Sequence, residues 1–581
     1  MTTTTGTGPP AQAPAHNDEV IVDPRRRLLI LAAMCVALVA VVASVSGLNV
    51  AQQALAEDLD ASQSQLLWII NGYTLALAAL LMPVGAIGDR WGRKPVLMIG
   101  LVAFSLLNLA SAFATEPNVL IALRVLAGAS AAMIMPVTLS VITTSFPRED
   151  QAKAIGTWAG FAGAGGIIGL FASAAIIDNA TWPWVFALPI ALAAVSFVLT
   201  TAFVPHSVEH TEAGFDIAGS LLSALAVGGL VLAFHEGPER GWTDPLTIAA
   251  LAAGLVGSVA FVLVELRREH PLVDVRVFAV RGLAAGSVNL FVVFAVMFSL
   301  FLVLVQYLQA VLGYSALKAA SGLLPMALIM MPLSTIAPTI AERIGFRRTL
   351  VTGMLLLAGG LVLFATLADP DGGYLSVLPG ILVLGTGVGL AMSPSTAAIT
   401  SSLPEEKQGV ASALNDTVRE MGGAVGIALI GSVLNSAYRS NIEPTVASLP
   451  PEVAEPVTSG IGGALAVAGK MGTGGAALVD ASRQAFVDGM APALYLGAGL
   501  ALAAAVFTAL RGPKTAAEAE PRLHAGDQTA PRPDVPDLSV NHTARSGSNH
   551  PNVESTGAEA AAPGESSGNM TGVIDTGGGP R

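Results

Sequence analysis

The sequence predicts an all-α membrane protein with fourteen transmembrane helices, arranged as two six-helix halves with two helices inserted between them. Three observations carry this expectation. First, 53% of the 581 residues are hydrophobic and only 12% are charged, with a mean hydropathy of +0.66. A soluble domain carries about 25% charged residues, so this excess of apolar side chains must face lipid. Second, fourteen apolar runs approach the ~20 residues that a bilayer crossing requires. Third, a short motif at the end of the second run recurs at the end of the tenth, an offset of eight that fits a duplicated six-helix unit with two helices between its copies.

The runs lie near 28–50, 66–88, 96–114, 119–142, 154–177, 185–204, 216–235, 246–266, 283–311, 320–341, 350–367, 375–402, 409–436 and 489–510. None shows the short alternating strands of a β-barrel. The first run follows Arg25, Arg26 and Arg27 but lacks a small-residue cleavage site, so it reads as a retained helix and not a signal peptide. With the N-terminus placed in the cytoplasm, eighteen Lys and Arg flank the inner ends of the runs and five the outer ends. That bias places both termini in the cytoplasm.

The expected organisation is a cytoplasmic N-tail at 1–23, a first half at 24–205, the inserted pair at 215–267, a second half at 282–510 and a C-tail at 512–581. Both tails are polar, rich in Pro, Gly and Ser, and read as disordered. Within the second half, 437–488 reads as an outer loop of mild amphipathicity. It either caps the outer mouth, lies on the membrane surface or merely connects.

Several function classes fall away. The single Cys35 excludes a disulfide framework and a Cys-rich metal site. The eight His show no ligand spacing, and His206, His210, His235 and His270 fall at loops or span ends, where they read as solvated. A net charge of -12 gives no reason to expect a nucleic-acid partner. No G-x-x-x-x-G-K-[ST] loop is present to cradle ATP, and no catalytic triad or carboxylate pair can be argued. The expectation is therefore a non-enzyme with no cofactor and no metal.

The repeated motif reads Ile87-Gly88-Asp89-Arg90-Trp91-Gly92-Arg93-Lys94 at its first copy and Ile340-Ala341-Glu342-Arg343-Ile344-Gly345-Phe346-Arg347 at its second. Internal repeats of this kind build many secondary transporters. At an inner turn these residues cannot touch a cargo at the midplane. Gly85, Gly88 and Gly92 allow close approach. Asp89, Arg90, Arg93, Lys94, Glu342 and Arg343 can bond across the halves in one conformation and release in the other, as a latch.

The segment Gly85 to Lys94 resembles the loop 2–3 signature of the major facilitator superfamily. The fourteen-span plan resembles that family's 14-helix drug/proton antiporter branch. Trp68, Tyr73, Arg124 with Gly128, Trp182-Pro183-Trp184, Asp216 with Gly219, Pro271-Leu272, Gln306 through Ser315, and Arg419 with Gly422-Gly423 agree with it. The resemblance covers about 25–510 and implies proton-driven export of lipophilic, often cationic compounds from a bacterial inner membrane. Two positions depart from the pattern. Ser44 stands where the branch carries a span 1 Asp, and Gly166 stands where the span 5 signature carries Pro.

A charge at membrane depth costs ~2.5–3.5 kcal/mol on insertion scales, so it is seldom incidental. Arg124, Asp416, Arg419 and Glu420 are the clear cases. Glu420 falls near the midplane, with Asp416 one turn away and Arg419 within pairing reach. Either one acid exchanges protons in competition with cargo, or Arg419 pairs with the acids permanently and the trio locks the helix. Arg124 can supply a partner across the bundle; it otherwise bonds backbone carbonyls. Asn49, also a substrate candidate, and Asn71, Tyr73, Gln306 and Gln309 are candidates for a polar cavity. Gly156, Gly160, Gly165, Gly166 and Gly169 make span 5 a tightly packed, bendable gating helix.

The expected partners are the lipid bilayer, protons and a small-molecule substrate, and the expected state is a monomer. The functional expectation is efflux of lipophilic drugs or dyes driven by the proton gradient. Its alternatives are a dedicated exporter of one endogenous product, such as an antibiotic or lipid, and a non-transporting sensor or scaffold.

Overall fold

The computed structural model describes residues 21, 23–205, 215–447 and 449–514. The expectations for the two tails fall almost wholly outside these residues. Among the described residues the chain is helical and holds no strand. Fourteen of its segments are long and apolar enough to cross a membrane.

The first half consists of α1 (Pro24–Leu59), α2 (Gln63–Trp91), α3 (Arg93–Ala112), α4 (Pro117–Ala132), α5 (Met135–Ser145), α6 (Arg148–Ile177) and α7 (Ala187–Phe203). The fourth span is the pair α4 and α5, interrupted at Met133–Ile134 where Pro136 opens the second helix. The inserted pair is α8 (Ile217–Arg240) and α9 (Pro245–Glu265). Their backbones touch through glycine: a Cβ on Gly254 would stand 2.6 Å from the Leu230 nitrogen. The second half is α10 (Arg281–Gln306), α11 (Ala316–Ile344), α12 (Phe346–Leu367), α13 (Gly373–Thr400), α14 (Gln408–Val446), α15 (Pro451–Ser459), α16 (Ile461–Lys470) and α17 (Ala476–Arg511).

The internal repeat is visible in the backbone. α2 meets α3 through Gly92 at φ 98°, ψ 137°, and α11 meets α12 through Gly345 at φ 99°, ψ 139°. A side chain at either φ would be strained, so glycine is what permits the one-residue turn. In both copies the glycine N–H closes the preceding helix, onto the Gly88 and the Ala341 carbonyl respectively.

The halves meet along two seams, α6 against α11 and α13, and α2 and α5 against α14. The inserted α8 packs on the second of these seams, touching both α2 and α14. The segment 437–488 is helical and not a loop. α14 has 39 residues, about 58 Å at 1.5 Å each, and so outruns a ~30 Å hydrocarbon core. Its projecting end, α15, α16 and the start of α17 bury Tyr438, Ile442, Val457, Ile461 and Phe486 among themselves. The Tyr438 hydroxyl donates to the Val457 carbonyl at 3.2 Å.

Candidate functional site

A cavity of about 450 Å³ lies between the two halves. On α1 its wall runs from Val41 to Gln52, the C-terminal part of that helix, and on α2 it runs from Ile70 to Leu77, near the start. The cavity therefore occupies the part of the bundle remote from the N-terminal end of α1. An aromatic wall of Phe294, Phe298 and Phe301 comes from α10. The expected polar residues Asn49, Asn71, Gln306 and Gln309 all line it. Tyr73 does not: it is fully buried behind the wall, and its hydroxyl donates to the Val41 carbonyl at 3.2 Å.

The charged cluster divides between roles. Arg419 donates through Nη1 to Asp416 Oδ1 at 2.9 Å. Asp416 is fully buried and also accepts from the Asn415 amide at 3.2 Å. Arg419 lies against the aromatic rings of Phe294, at 4.5 Å, and Trp158, at 5.5 Å. Such ring faces attract a guanidinium, so this cation is held on two sides. Glu420, the next residue on α14, points to the cavity and makes no hydrogen bond or ion pair among the described residues. It stands twelve residues past the first residue of α14, about 18 Å along the helix at 1.5 Å per residue. Arg419 thus has one acid, and the other is left to face the cavity.

Arg124 takes no acid at all. It is fully buried, donating to Ser44 Oγ at 2.8 Å, to the Ser44 carbonyl at 3.2 Å and to the Ile69 carbonyl at 3.4 Å. The Ser44 hydroxyl in turn donates a hydrogen bond to Asn108 Oδ1 at 3.1 Å. The Tyr73 ring stacks 4.3 Å from the guanidinium. Of the two expectations for Arg124, a partner for the α14 acids or a donor to backbone carbonyls, the structure shows the second, with the Ser44 hydroxyl added. With Ser44 in the place of an acid, a hydroxyl and carbonyls are what α1 and α2 offer the cation.

The turn after α2 makes the contact across the halves. Asp89 accepts from the Gly409 N–H at 2.7 Å and the Val410 N–H at 3.0 Å, the free amides at the start of α14. A carboxylate there satisfies two orphan donors and faces the positive end of the helix dipole. Arg93 supports it from behind at 3.3 Å. Close approach depends on small residues: a Cβ on Gly85 would stand 2.6 Å from the Gly409 carbonyl oxygen. Gly88 is less tightly held, with 3.4 Å to Val137. Lys94 stays within its own half, donating to the Thr201 and Val204 carbonyls at 3.0 and 2.8 Å. Arg90 is exposed, and at the second copy Glu342 and Arg343 are exposed too.

The glycines of α6 also separate. A Cβ on Gly156 would stand 2.6 Å from the Ser334 carbonyl oxygen, and Gly160 faces Met331 at 3.2 Å, so these two seat α6 on α11. Ser334 donates back to the Gly156 carbonyl at 3.0 Å. Gly169 seats α6 on α1, with 2.6 Å to Ala43. Gly165 and Gly166 have room at 3.6 and 3.7 Å, and Gly166 lines the cavity.

Sequence reasoning missed two features. His235 lines the cavity and is only part-exposed, where a solvated span end was expected. Asn108 accepts from Ser44 in the last turns of α3; a lone Asn within an apolar run was the available signal.

Comparisons with known proteins identify the family and the fold. The multidrug efflux pump LfrA of Mycolicibacterium smegmatis is 32% identical over 83% of this chain and 95% of its own length. The methyl viologen resistance protein SmvA of Salmonella typhimurium is 30% identical over 83% of this chain and 97% of its own. The crystal structure of the human organic anion transporter MFSD10 superposes with a TM-score of 0.55 at 12% identity, over 84% of this chain and 100% of that one, and so shares the fold. Residues 32–427 match the family model described as Major Facilitator Superfamily, and the chain belongs to that family.

Proposed function

We propose that this protein exports lipophilic drugs or dyes by alternating access, driven by protons moving inward through Glu420. The reading rests on one observation. Glu420 is an acid in the cavity wall with no hydrogen bond or ion pair among the described residues, one position from a closed Asp416–Arg419 pair. An acid at that depth bears a desolvation cost that protonation relieves. Cargo and proton then compete for one site, and the fixed pair beside it keeps the rest of the cluster neutral.

The basic residues at the ends of the spans support a cytoplasmic side for both termini. On that orientation the cavity faces outward and the Asp89 contact closes the inner side. The inward-facing state requires Asp89 to leave the start of α14 and α6 to part from α11. The Phe294, Phe298 and Phe301 wall suits lipophilic cargo, and the amides of Asn49, Asn71, Gln306 and Gln309 offer hydrogen bonds without fixing one orientation. The relatives named for multidrug efflux and methyl viologen resistance support a broad cargo range and a bacterial inner membrane. A monomer suffices, because one chain encloses the cavity.

The test uses inside-out vesicles with an imposed proton gradient. A panel of lipophilic cations, neutral compounds and anions is added, and dissipation of the gradient is recorded against vesicles lacking the protein. Dissipation by several unrelated compounds is expected. No response across the panel would overturn the proton-coupled reading.

A further inference from the structure

The inserted helices are ordinarily read as a spacer between the halves, yet α8 occupies the seam where the halves part. Val231 of α8 is buried in one cluster with Ala78 of α2 and Ala424 of α14, and Phe234 packs against the same cluster. His235 lies one turn beyond Val231 on the same helix face and reaches the cavity wall. Its neighbours are engaged elsewhere. Glu236 pairs with Arg240, and the Phe234 ring meets Trp242 edge to face at 6.1 Å. The His235 imidazole makes no hydrogen bond among the described residues. It is thus a free donor and acceptor on an otherwise apolar seam, facing the same space as Glu420.

We propose that His235 is a cargo-specificity residue. Its imidazole hydrogen-bonds the N–H or O–H group of a lipophilic cargo, so that the inserted pair forms a third wall of the cargo site. This rests on the export reading and names its chemistry further. Cargo bearing amino or hydroxyl groups gains a contact here that a cation without them cannot make. Leaving a polar cargo group without its partner costs affinity, whereas a cargo lacking that group loses nothing polar.

Ethidium, with two aromatic amino groups, and tetraphenylphosphonium, with no hydrogen-bonding group, are the probes. Apparent affinities for both are measured in transport and, in parallel, by binding to the purified full-length protein. His235→Phe keeps a ring in the seam, and His235→Gln keeps a donor and acceptor. The expected result is an ethidium-to-tetraphenylphosphonium affinity ratio lower by about five- to tenfold in the Phe variant, the range of one net hydrogen bond, and restored toward wild type in the Gln variant. A ratio that stays within twofold of wild type in the Phe variant, whether both affinities fall together or neither moves, would overturn the proposal. So would a Gln variant that behaves as the Phe one. The binding arm separates the two readings: the expected ratio in a protein that moves no protons would retain His235 in this role and remove the export reading.

Discussion

Of the buried arginines, Arg124 in the first half and Arg419 in the second are treated differently. Arg124 in the first half is surrounded by neutral acceptors, Ser44, the Ile69 carbonyl and the Tyr73 ring. Arg419 in the second half pairs with Asp416 and lies beside a second acid, Glu420. A buried charge dressed by hydroxyls and carbonyls has nothing that readily takes or yields a proton. A buried Arg with two acids leaves one acid free to do so. The difference is why the proposed proton chemistry is put on α14 and not on the first half. It also connects the site to the latch, because the helix carrying Glu420 is the one whose first amides Asp89 holds.

The sharpest way to break the comparison is to remove the free acid. Glu420→Gln is expected to reduce proton-coupled export to the level of empty vesicles while cargo binding persists, checked by transport and fluorescence binding on one preparation. Next in size is Arg419→Ala, which strands Asp416 without its cation. Breaking a buried pair from one side costs about 3–5 kcal/mol, so the yield of folded protein and its melting temperature in detergent should drop. The double variant Arg419→Ala, Asp416→Asn should recover part of that loss.

Asp89→Asn keeps the shape of the latch but removes its charge. Charge at a helix N-terminus contributes about 0.3–2 kcal/mol, so the ratio of outward- to inward-facing protein should fall by up to about thirtyfold, read as increased inside accessibility of a cysteine placed on α6. Ser44→Asp sharpens the contrast from the other side. It gives Arg124 an acid 80 residues away in sequence, and a second proton-linked step in cargo binding is expected on titration. The smallest effects belong to the α6 glycines with room. Gly165→Ala should change stability by less than about 0.5 kcal/mol, as substitutions away from special features usually do. Gly156→Ala drives a methyl into the Ser334 carbonyl and should slow turnover.

Much of the fold was legible because hydropathy is a local quantity. A helix crossing lipid must be apolar over its whole length, so the fourteen spans stand out before any tertiary contact is known. The Asp416–Arg419 pair was legible for the same reason, being three residues apart on one helix. Contacts between distant segments were not. Nothing in the residues around Asp89 names Gly409 as its partner, 320 positions away. The repeat suggested that Glu342 mirrors Asp89, but a sequence match fixes the turn and not what packs on it, and Glu342 is exposed. Tyr73 reads as a cavity tyrosine on polarity, yet its hydroxyl is satisfied by the backbone of α1. His235 was misread because it ends its apolar run, where a histidine ordinarily meets water; α8 continues to Arg240 and places His235 in the cavity wall. The helices within 437–488 escaped hydropathy, since they cover one another outside the apolar runs.

The central claim is that Glu420 exchanges a proton for cargo. The most direct measurement is proton release when a lipophilic cation binds to purified protein in weakly buffered detergent solution, for wild type and Glu420→Gln side by side. The account expects wild type to release protons in proportion to bound cargo and the variant to bind cargo without releasing any. Equal release from both proteins would contradict it and place the proton elsewhere.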